Sequence, residues 1–340
     1  MNFIILTRSG NGSPLILANS VKNQLEECGH HVVISTQINI LNRLVSFKNN
    51  TLSFHFWLWE KLINYIEDRR LICKLKKSDA VVISECIPNG FWNRLYNVER
   101  LKQITRKPVF FYEVYYLGNA PTQIIELKKN NNTLLERYDA HLFVSPITET
   151  RIPLPSNAFC IGLRAKDWDL HLNRKKELVA LVDFVQPGYE LFRKLQINML
   201  KKARIKYISL EKKYSIDEIR DIYREVSIFF IQSPEAFGLP ILECLCTGAQ
   251  VFTPHSGWPM SWRLDESAAV HSSGILPSCF TVYGDKADLL QKLLNYKTDF
   301  HPINTPLKVF SEFRQHYPNF FEGNVREMER CIELIKSCNN

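Results

Sequence analysis

Several chemical signatures are missing from this 340-residue chain. Its nine cysteines include no Cys-x-x-Cys pair, which removes the common zinc and thioredoxin spacings. No His-x-His or His-Glu-x-x-His motif occurs, so no metal is expected, and there is no serine nucleophile elbow. Internal repeats and low-complexity tracts are absent as well. The longest uncharged stretch, Cys244 to Trp262, is broken by Thr247, Gln250, Pro254, His255, Ser256 and Pro259, so no transmembrane helix is expected. The opening Met1 to Leu6 has no basic leader and its apolar run stops at Arg8, which reads as a buried first strand rather than a secretory signal. An odd number of scattered cysteines fits reduced thiols, and a cytoplasmic protein is expected.

What is present is an ordinary globular composition, with 45% hydrophobic and 23% charged residues. The length predicts two domains. Lys+Arg 43 against Asp+Glu 35 leaves a net charge of +8, spread along the chain without a nucleic-acid motif, so no nucleic-acid partner is expected. Short apolar runs alternate with helical spacing: Phe3 to Leu6, Leu15 to Cys28, Val32 to Ile34, then Trp57 to Lys77, Ala80 to Ile83, Pro108 to Tyr112, a helix near Thr122 to Arg137, and Ala140 to Val144. That order predicts parallel strands covered by helices. A second set begins at Leu178 and runs through Leu191 to Ala203, Lys206 to Leu210, Ile216 to Val226, Ile228 to Ile231, Pro240 to Cys246 and Gln250 to Thr253. The fold class is therefore α/β, with two Rossmann-like doubly wound domains at residues 1–160 and 161–310, facing an inter-domain cleft in which a ligand would bind. The boundary falls at about residues 155–175, near Pro153 and Pro155 and the charged run from Arg174. Residues 311–340 read as a helical segment that returns to the N-terminal domain.

The most informative stretch is Ser233 to Val251, which passes from strand to helix to strand. Pro240 suits the first turn of a helix, so the backbone N–H groups of Phe237, Gly238 and Leu239 lie where unpaired donors attract an anion such as phosphate. Gly238 lets backbone approach a ligand, and Gly248 stops the helix. Glu235 precedes the helix and Glu243 lies on it. A carboxylate accepts two hydroxyl donors at once, which suits a sugar or a ribose. An isolated pair of glutamates is by itself only surface charge. The strand-loop-helix context is what makes this pair a candidate.

With seven residues between Glu235 and Glu243, Phe237-Gly238-Leu239-Pro240 among them, the segment resembles the Glu-x7-Glu signature of retaining GT-B glycosyltransferases, particularly glycosyltransferase family 4. Tyr214 to Ile219, Tyr223 and Ser227 to Gln232 resemble that family's run into the motif, and Gly29-His30-His31-Val32 its Gly-His-x-Val after the first helix. The resemblance covers residues 205–255 well, 1–35 fairly, and the rest only in architecture. It implies the GT-B fold and transfer of a sugar from a nucleoside diphosphate sugar to a hydroxyl acceptor with retention. Glu235 is then the catalytic-site residue that positions the sugar, Glu243 grips the donor, and the backbone of Phe237, Gly238 and Leu239 receives the phosphates. No cofactor beyond the donor substrate is implied. The resemblance further implies that the leaving diphosphate helps deprotonate the acceptor and that the enzyme works without a metal. Surface polysaccharide or glycoconjugate synthesis, a glycan or lipid-linked acceptor, and peripheral contact with the inner membrane face are family-level expectations.

The chain departs from that pattern in three places. The family's diphosphate-binding Arg and Lys would follow the first strand of the second domain, where this chain reads Val182 to Tyr189 without a cation. Arg193 and Lys194 lie just downstream and are the candidate substitutes. The glycine-rich loop with Gly10 and Gly12, a candidate donor contact, is not a full Gly-x-Gly-x-x-Gly, because Leu15 stands at the sixth position. No His stands in Phe111 to Tyr116, after a middle strand of the first domain, where relatives often carry one. Trp258, Trp262 and Arg263 are read as core packing ahead of ligand stacking. The aromatic cluster Phe54 to Trp59 with Trp92 and Tyr96, and the basic Arg69, Arg70, Lys74, Lys76 and Lys77, are read as helix core and solvated face ahead of a membrane surface. Two alternatives stand beside transfer: a GT-B sugar-nucleotide epimerase, and a non-catalytic glycosyltransferase-like binding module.

Overall fold

The computed structural model describes residues 1–8, 13–37, 69–84, 98–115, 138–146, 154–175, 177–265 and 273–338. The glycine-rich loop with Gly10 and Gly12, the cluster Phe54 to Trp59 with Trp92 and Tyr96, and the helix expected near 122–137 lie outside the described residues. The chain divides into two compact units: Met1–Val144 with Pro153–Ile161 and Asn324–Asn340, and Ser145–Ile152 with Gly162–Gly323.

The first unit is built on strands β1 (Asn2–Arg8), β2 (His31–Gln37), β3 (Ala80–Ser84), β4 (Val109–Tyr115), β5 (Ala140–Ser145) and β6 (Ala158–Cys160), in the order β2-β1-β3-β4-β5-β6. The sheet is parallel, with Phe3 opposite both Val32 and Ala80. β3 and β5 are buried along their whole length, the pattern of strands covered on both faces. Helix α1 (Ser13–Glu27) sends Leu17, Ala18, Val21 and Leu25 inward at helical spacing. The helical residues 69–77 and α2 (Val98–Thr105) contribute Leu71, Leu75, Val98 and Leu101 to a core with Ile4, Leu6, Val81, Ile83 and Phe111.

The second unit has a five-stranded parallel sheet in the order β11-β10-β9-β7-β8: β7 (Val179–Val182), β8 (Lys206–Ser209), β9 (Ile228–Phe230), β10 (Gln250–Thr253) and β11 (Phe280–Val282). Connecting helices are α3 (Glu190–Ala203), α4 (Ile216–Glu225), α5 (Leu239–Cys246) and α6 (Lys286–Asp299). Ser215 starts α4 with a reciprocal capping box: its Oγ accepts the Glu218 N–H at 3.2 Å and Glu218 accepts the Ser215 N–H at 2.7 Å.

The C-terminal stretch is three helices, α7 (Asn304–His316), α8 (Pro318–Phe321) and α9 (Val325–Cys338), and they divide between the units. The division falls after Gly323 and not near residue 311. Phe313, Tyr317 and Phe320 pack around Trp262, and Pro306 of α7 comes so close to Gly248 that a Cβ there would meet its carbonyl oxygen at 2.6 Å. These contacts hold α7 and α8 in the second unit. Among the described residues no helix is long and apolar enough to cross a membrane, and no disulfide joins the described cysteines.

Candidate functional site

In the second unit the carboxyl ends of β7 and β9 open onto a crevice lined by Asp183, Phe184, Gln186, Phe229, Ile231, Gln232, Ser233, Glu235, Pro240 and Ile241. Its volume is about 30 Å³. Ligands of open α/β sheets bind at this end of the strands.

The loop from Ser233 to Gly238 is held in place from behind. Trp262, fully buried, donates its indole N–H to the Phe237 carbonyl at 2.5 Å and stacks on the Phe237 ring at 5.4 Å and 18°. Ser261 N–H reaches the Ala236 carbonyl at 2.8 Å, and the Tyr317 hydroxyl donates to the Trp262 carbonyl. Trp262 is thus the core residue expected, while Trp258 makes edge contacts with Tyr189 and Phe192. Gly238 ends the loop and begins α5 at φ +66°, where a Cβ would stand 2.6 Å from Glu235 Cγ and 2.9 Å from Ile241 Cδ1. Only glycine lets the chain turn here with Glu235 folded against it. No side chain caps α5, and Pro240 stands in its first turn, so the helix start presents backbone donors unclaimed by a capping group.

The two motif glutamates sit in different surroundings. Glu235 is on the exposed loop at the crevice. Desolvation of its carboxyl, and then repulsion from Asp183, raise its pKa. Glu243 is 8% exposed on α5, and its Oε1 meets Arg220 Nε of α4 at 3.4 Å. Burial raises its pKa, and Arg220 opposes that rise. The structure therefore sets Glu235 at the crevice and Glu243 in an internal ion pair.

Of the expected phosphate cations, Arg193 leans toward the end of β8, where its guanidinium donates to Ser209 Oγ, the Leu210 carbonyl and Glu211. Lys194 is exposed on the same helix and does not line the crevice. Phe237, Gly238 and Leu239 are brought together at the α5 start. Sequence reading missed Asp183, which follows β7 directly. Burial pushes its carboxyl up to about 6, against the Phe184 N–H at 2.7 Å and the charge of Arg193. It also missed Arg220, and Gln232 with its partners Gln196 and Tyr283, whose spacing in the sequence gives no signal. Among the described residues no group of three or more His, Cys, Asp or Glu is placed to hold a metal ion.

No protein-family model matches the chain, and no curated protein matches it by sequence. Solved structures do match. HepE of Anabaena, determined with UDP and glucose, is 11% identical over 99% of this chain and 100% of its own, with a TM-score of 0.54. An alpha-glucosyltransferase in complex with UDP is 10% identical over 98% of this chain and 99% of its own, at 0.60. A Listeria monocytogenes protein described as a UDP-N-acetylglucosamine 2-epimerase is 12% identical over 99% and 96%, at 0.53. The chain has the GT-B fold, two parallel-sheet α/β units.

Proposed function

We propose that this chain is a glycosyltransferase that binds a nucleoside diphosphate sugar at the carboxyl ends of β7 and β9 and passes the sugar to a hydroxyl of an acceptor. The observation that carries the reading is the Glu235 to Gly238 turn into α5. It combines a carboxylate at a crevice, a glycine no other residue replaces without strain, and an uncapped helix start in a chain whose fold neighbours were solved with UDP. In this reading the α5 start receives phosphate oxygens. Glu235 accepts hydroxyls of the sugar and orients it, and the departing diphosphate takes the acceptor proton on the same face, so configuration is retained. Glu243 acts behind the site, fixing α5 against α4 through Arg220. A glycan or lipid-linked acceptor and a role in surface polysaccharide synthesis extend the same reading.

The test is a thermal-shift panel of UDP, GDP, ADP and CMP with their common sugar conjugates. A ligand at 100 times its Kd adds about 2.7 kcal/mol of stability. One nucleotide family is expected to stabilise the wild type, with the sugar-dependent part of the shift lost in Glu235→Ala. Glu243→Ala is a poor probe, because it leaves the Arg220 guanidinium, 17% exposed, without its carboxylate. Absence of any shift across the panel defeats the donor-site reading and leaves a non-catalytic module.

The likeness to a UDP-N-acetylglucosamine 2-epimerase favours one second reading. Isomerisation of the donor sugar without an acceptor would establish it over transfer.

A further inference from the structure

A cavity much larger than the crevice lies at the opposite end of the same sheet. It measures about 550 Å³ and opens between α6, α7 and the sheet edge, where Gln250 begins β10 and Ser278 precedes β11. The strands are parallel, so this is their amino end, while the crevice is at their carboxyl end. The volume falls within the roughly 300–1,000 Å³ of small-molecule sites. Helices that cover a sheet ordinarily turn an apolar stripe toward it. Here the face of α6 that lines the cavity carries Lys292, Asn295, Tyr296 and Asp299, and the first turn of α7 adds Asn304 and Thr305.

Several lining groups are fixed from behind while part of their hydrogen-bonding capacity stays open. Gln250, 6% exposed, donates its Nε2 to the Ser278 carbonyl at 2.8 Å, which can only accept, and to Thr281 Oγ1 at 3.1 Å. Its Oε1 meets no donor among the described residues. His301 Nδ1 accepts the N–H groups of Ile303 and Asn304, each at 3.2 Å, so the ring proton sits on Nε2 and is free to donate. Tyr296 gives its hydroxyl to the Ser227 carbonyl at 3.1 Å and stands edge-on to Phe252 at 5.9 Å, which holds its ring as a rigid aromatic wall. Groups locked in this way have met their ordering cost before a ligand arrives, which separates a binding surface from a merely wet one. The charges select the ligand. Lys292 is committed to Asp288 at 2.8 Å and to the Val282 carbonyl, which leaves Lys308 balanced by Asp299. A polyanion finds no surplus of cations here, and an apolar guest would strand Gln250 and Asn295. A neutral sugar satisfies both conditions, because each hydroxyl donates and accepts and the C–H face of the ring lies flat on an aromatic wall.

We propose that the second unit carries a saccharide-binding site between α6 and α7, separate from the crevice, that takes a short stretch of neutral glycan. Gln250 Oε1 and Asp299 accept its hydroxyls, His301 Nε2 and Asn295 Nδ2 donate to them, and Tyr296 takes the ring face. The inference does not depend on the nucleotide reading of the crevice. Where that reading also holds, a glycan gripped here stays with the protein between transfers, and its local concentration is raised.

Saturation-transfer NMR on the full chain with maltose, cellobiose and chitobiose reads the binding, with glucose 6-phosphate and inorganic phosphate as charged comparisons. At least one disaccharide is expected to bind with a Kd of about 1 mM or tighter, and its affinity should not change with salt, as suits an uncharged ligand. Asn295 and Asn304 are exposed, so their substitution spares the core. Asn295→Ala removes a donor and Asn304→Trp fills the space, and each should weaken binding about tenfold or more, with thermal transitions checking that both variants fold. Glu235→Ala, at the crevice, should leave the affinity intact. Binding that survives both cavity variants and disappears in Glu235→Ala puts the sugar at the crevice and overturns the site. Stronger, salt-sensitive binding of glucose 6-phosphate or phosphate that Asn304→Trp abolishes makes the cavity an anion site and overturns the saccharide. If none of the three disaccharides binds, the inference falls outright, whatever the nucleotide panel shows.

Discussion

At the scale of single residues, the ionisable groups that repay mutation are ones largely withdrawn from water. Glu243 and Arg220, 11% and 17% exposed as side chains, form an ion pair whose carboxylate is stabilised mainly by its partner. Removing one member of such a pair costs roughly 3–5 kcal/mol. Arg220→Met is expected to lie near the lower end. Burial already raises the Glu243 pKa, and loss of Arg220 raises it further, so the folded state binds a proton more readily than the unfolded chain. Stability is then lost as pH rises, and urea melts should show a larger deficit at pH 8 than at pH 5, with Glu243→Gln in the same background recovering most of it. An equal deficit at both pH values would assign the loss to packing. Asp183 has the same sign and a narrower window. Its carboxyl sits at about 6 against an ordinary 3.8, so the stability it contributes is complete below the lower value and gone above the upper one. In metal-free buffer Asp183→Asn should therefore be more stable than wild type by about 1–3 kcal/mol at pH 8, and no more stable at pH 3.5. A pH-independent difference would remove Asp183 from the list of desolvated groups.

At the scale of elements, the second unit's strands and helices were legible because each apolar run is short and bracketed by turns, as Ile228 to Ile231 and Gln250 to Thr253 are. β6 and β11, three residues each, were not picked out from the sequence. Helix α6 did announce itself, for Asp285 accepts the N–H groups of Ala287 and Asp288, a cap that could have been read from the sequence. The long helical reading of residues 311–340 breaks at Tyr317-Pro318 and Gly323, and the proline was the available signal. At the site the motif located the turn and Glu235. It did not reveal that Glu243 is paired inward, because Arg220 stands 23 residues away and only the packing of α4 on α5 brings them together. The turn yields its own prediction. Gly238→Ala puts a methyl where Glu235 Cγ and Ile241 Cδ1 already stand, at a positive φ, and strain of this kind costs about 1–3 kcal/mol. Denaturant melts should register that loss, and the sugar-dependent part of the proposed nucleotide shift should vanish as Glu235 is displaced. A variant of full stability with unchanged ligand response would show that the turn tolerates a side chain.

At the scale of the whole chain, the assignment of α9 to the first unit makes that unit discontinuous in sequence, and its folding depends on residues that follow the second unit along the chain. Met328, Cys331, Ile332 and Ile335 are each no more than 4% exposed, and the helix packs on α1 and β6. Asn324 fastens its start: the backbone N–H is shared between Gln24 Oε1 at 3.1 Å and the Ile161 carbonyl at 2.9 Å, while Nδ2 reaches the Cys160 carbonyl at 3.2 Å. Burial of four such side chains contributes about 6 kcal/mol or more at the usual 1.5–3 kcal/mol each. Domains have only about 5–15 kcal/mol of net stability, so the helix accounts for most of the unit's margin. The second unit keeps α7 and α8, with Phe313 and Phe320 on Trp262, while α9 is assigned to the first. A chain ending at Gly323 should accordingly lose amide protection across Asn2–Arg8 and Ala80–Ser84 while Val179–Val182, Ile228–Phe230 and Gln250–Thr253 stay protected. Hydrogen exchange read by mass spectrometry on the truncated and full chains makes the comparison strand by strand. Protection lost equally from both sheets would mean that the units fold as one cooperative body, and the stability of the proposed nucleotide site would then hang on α9 as well.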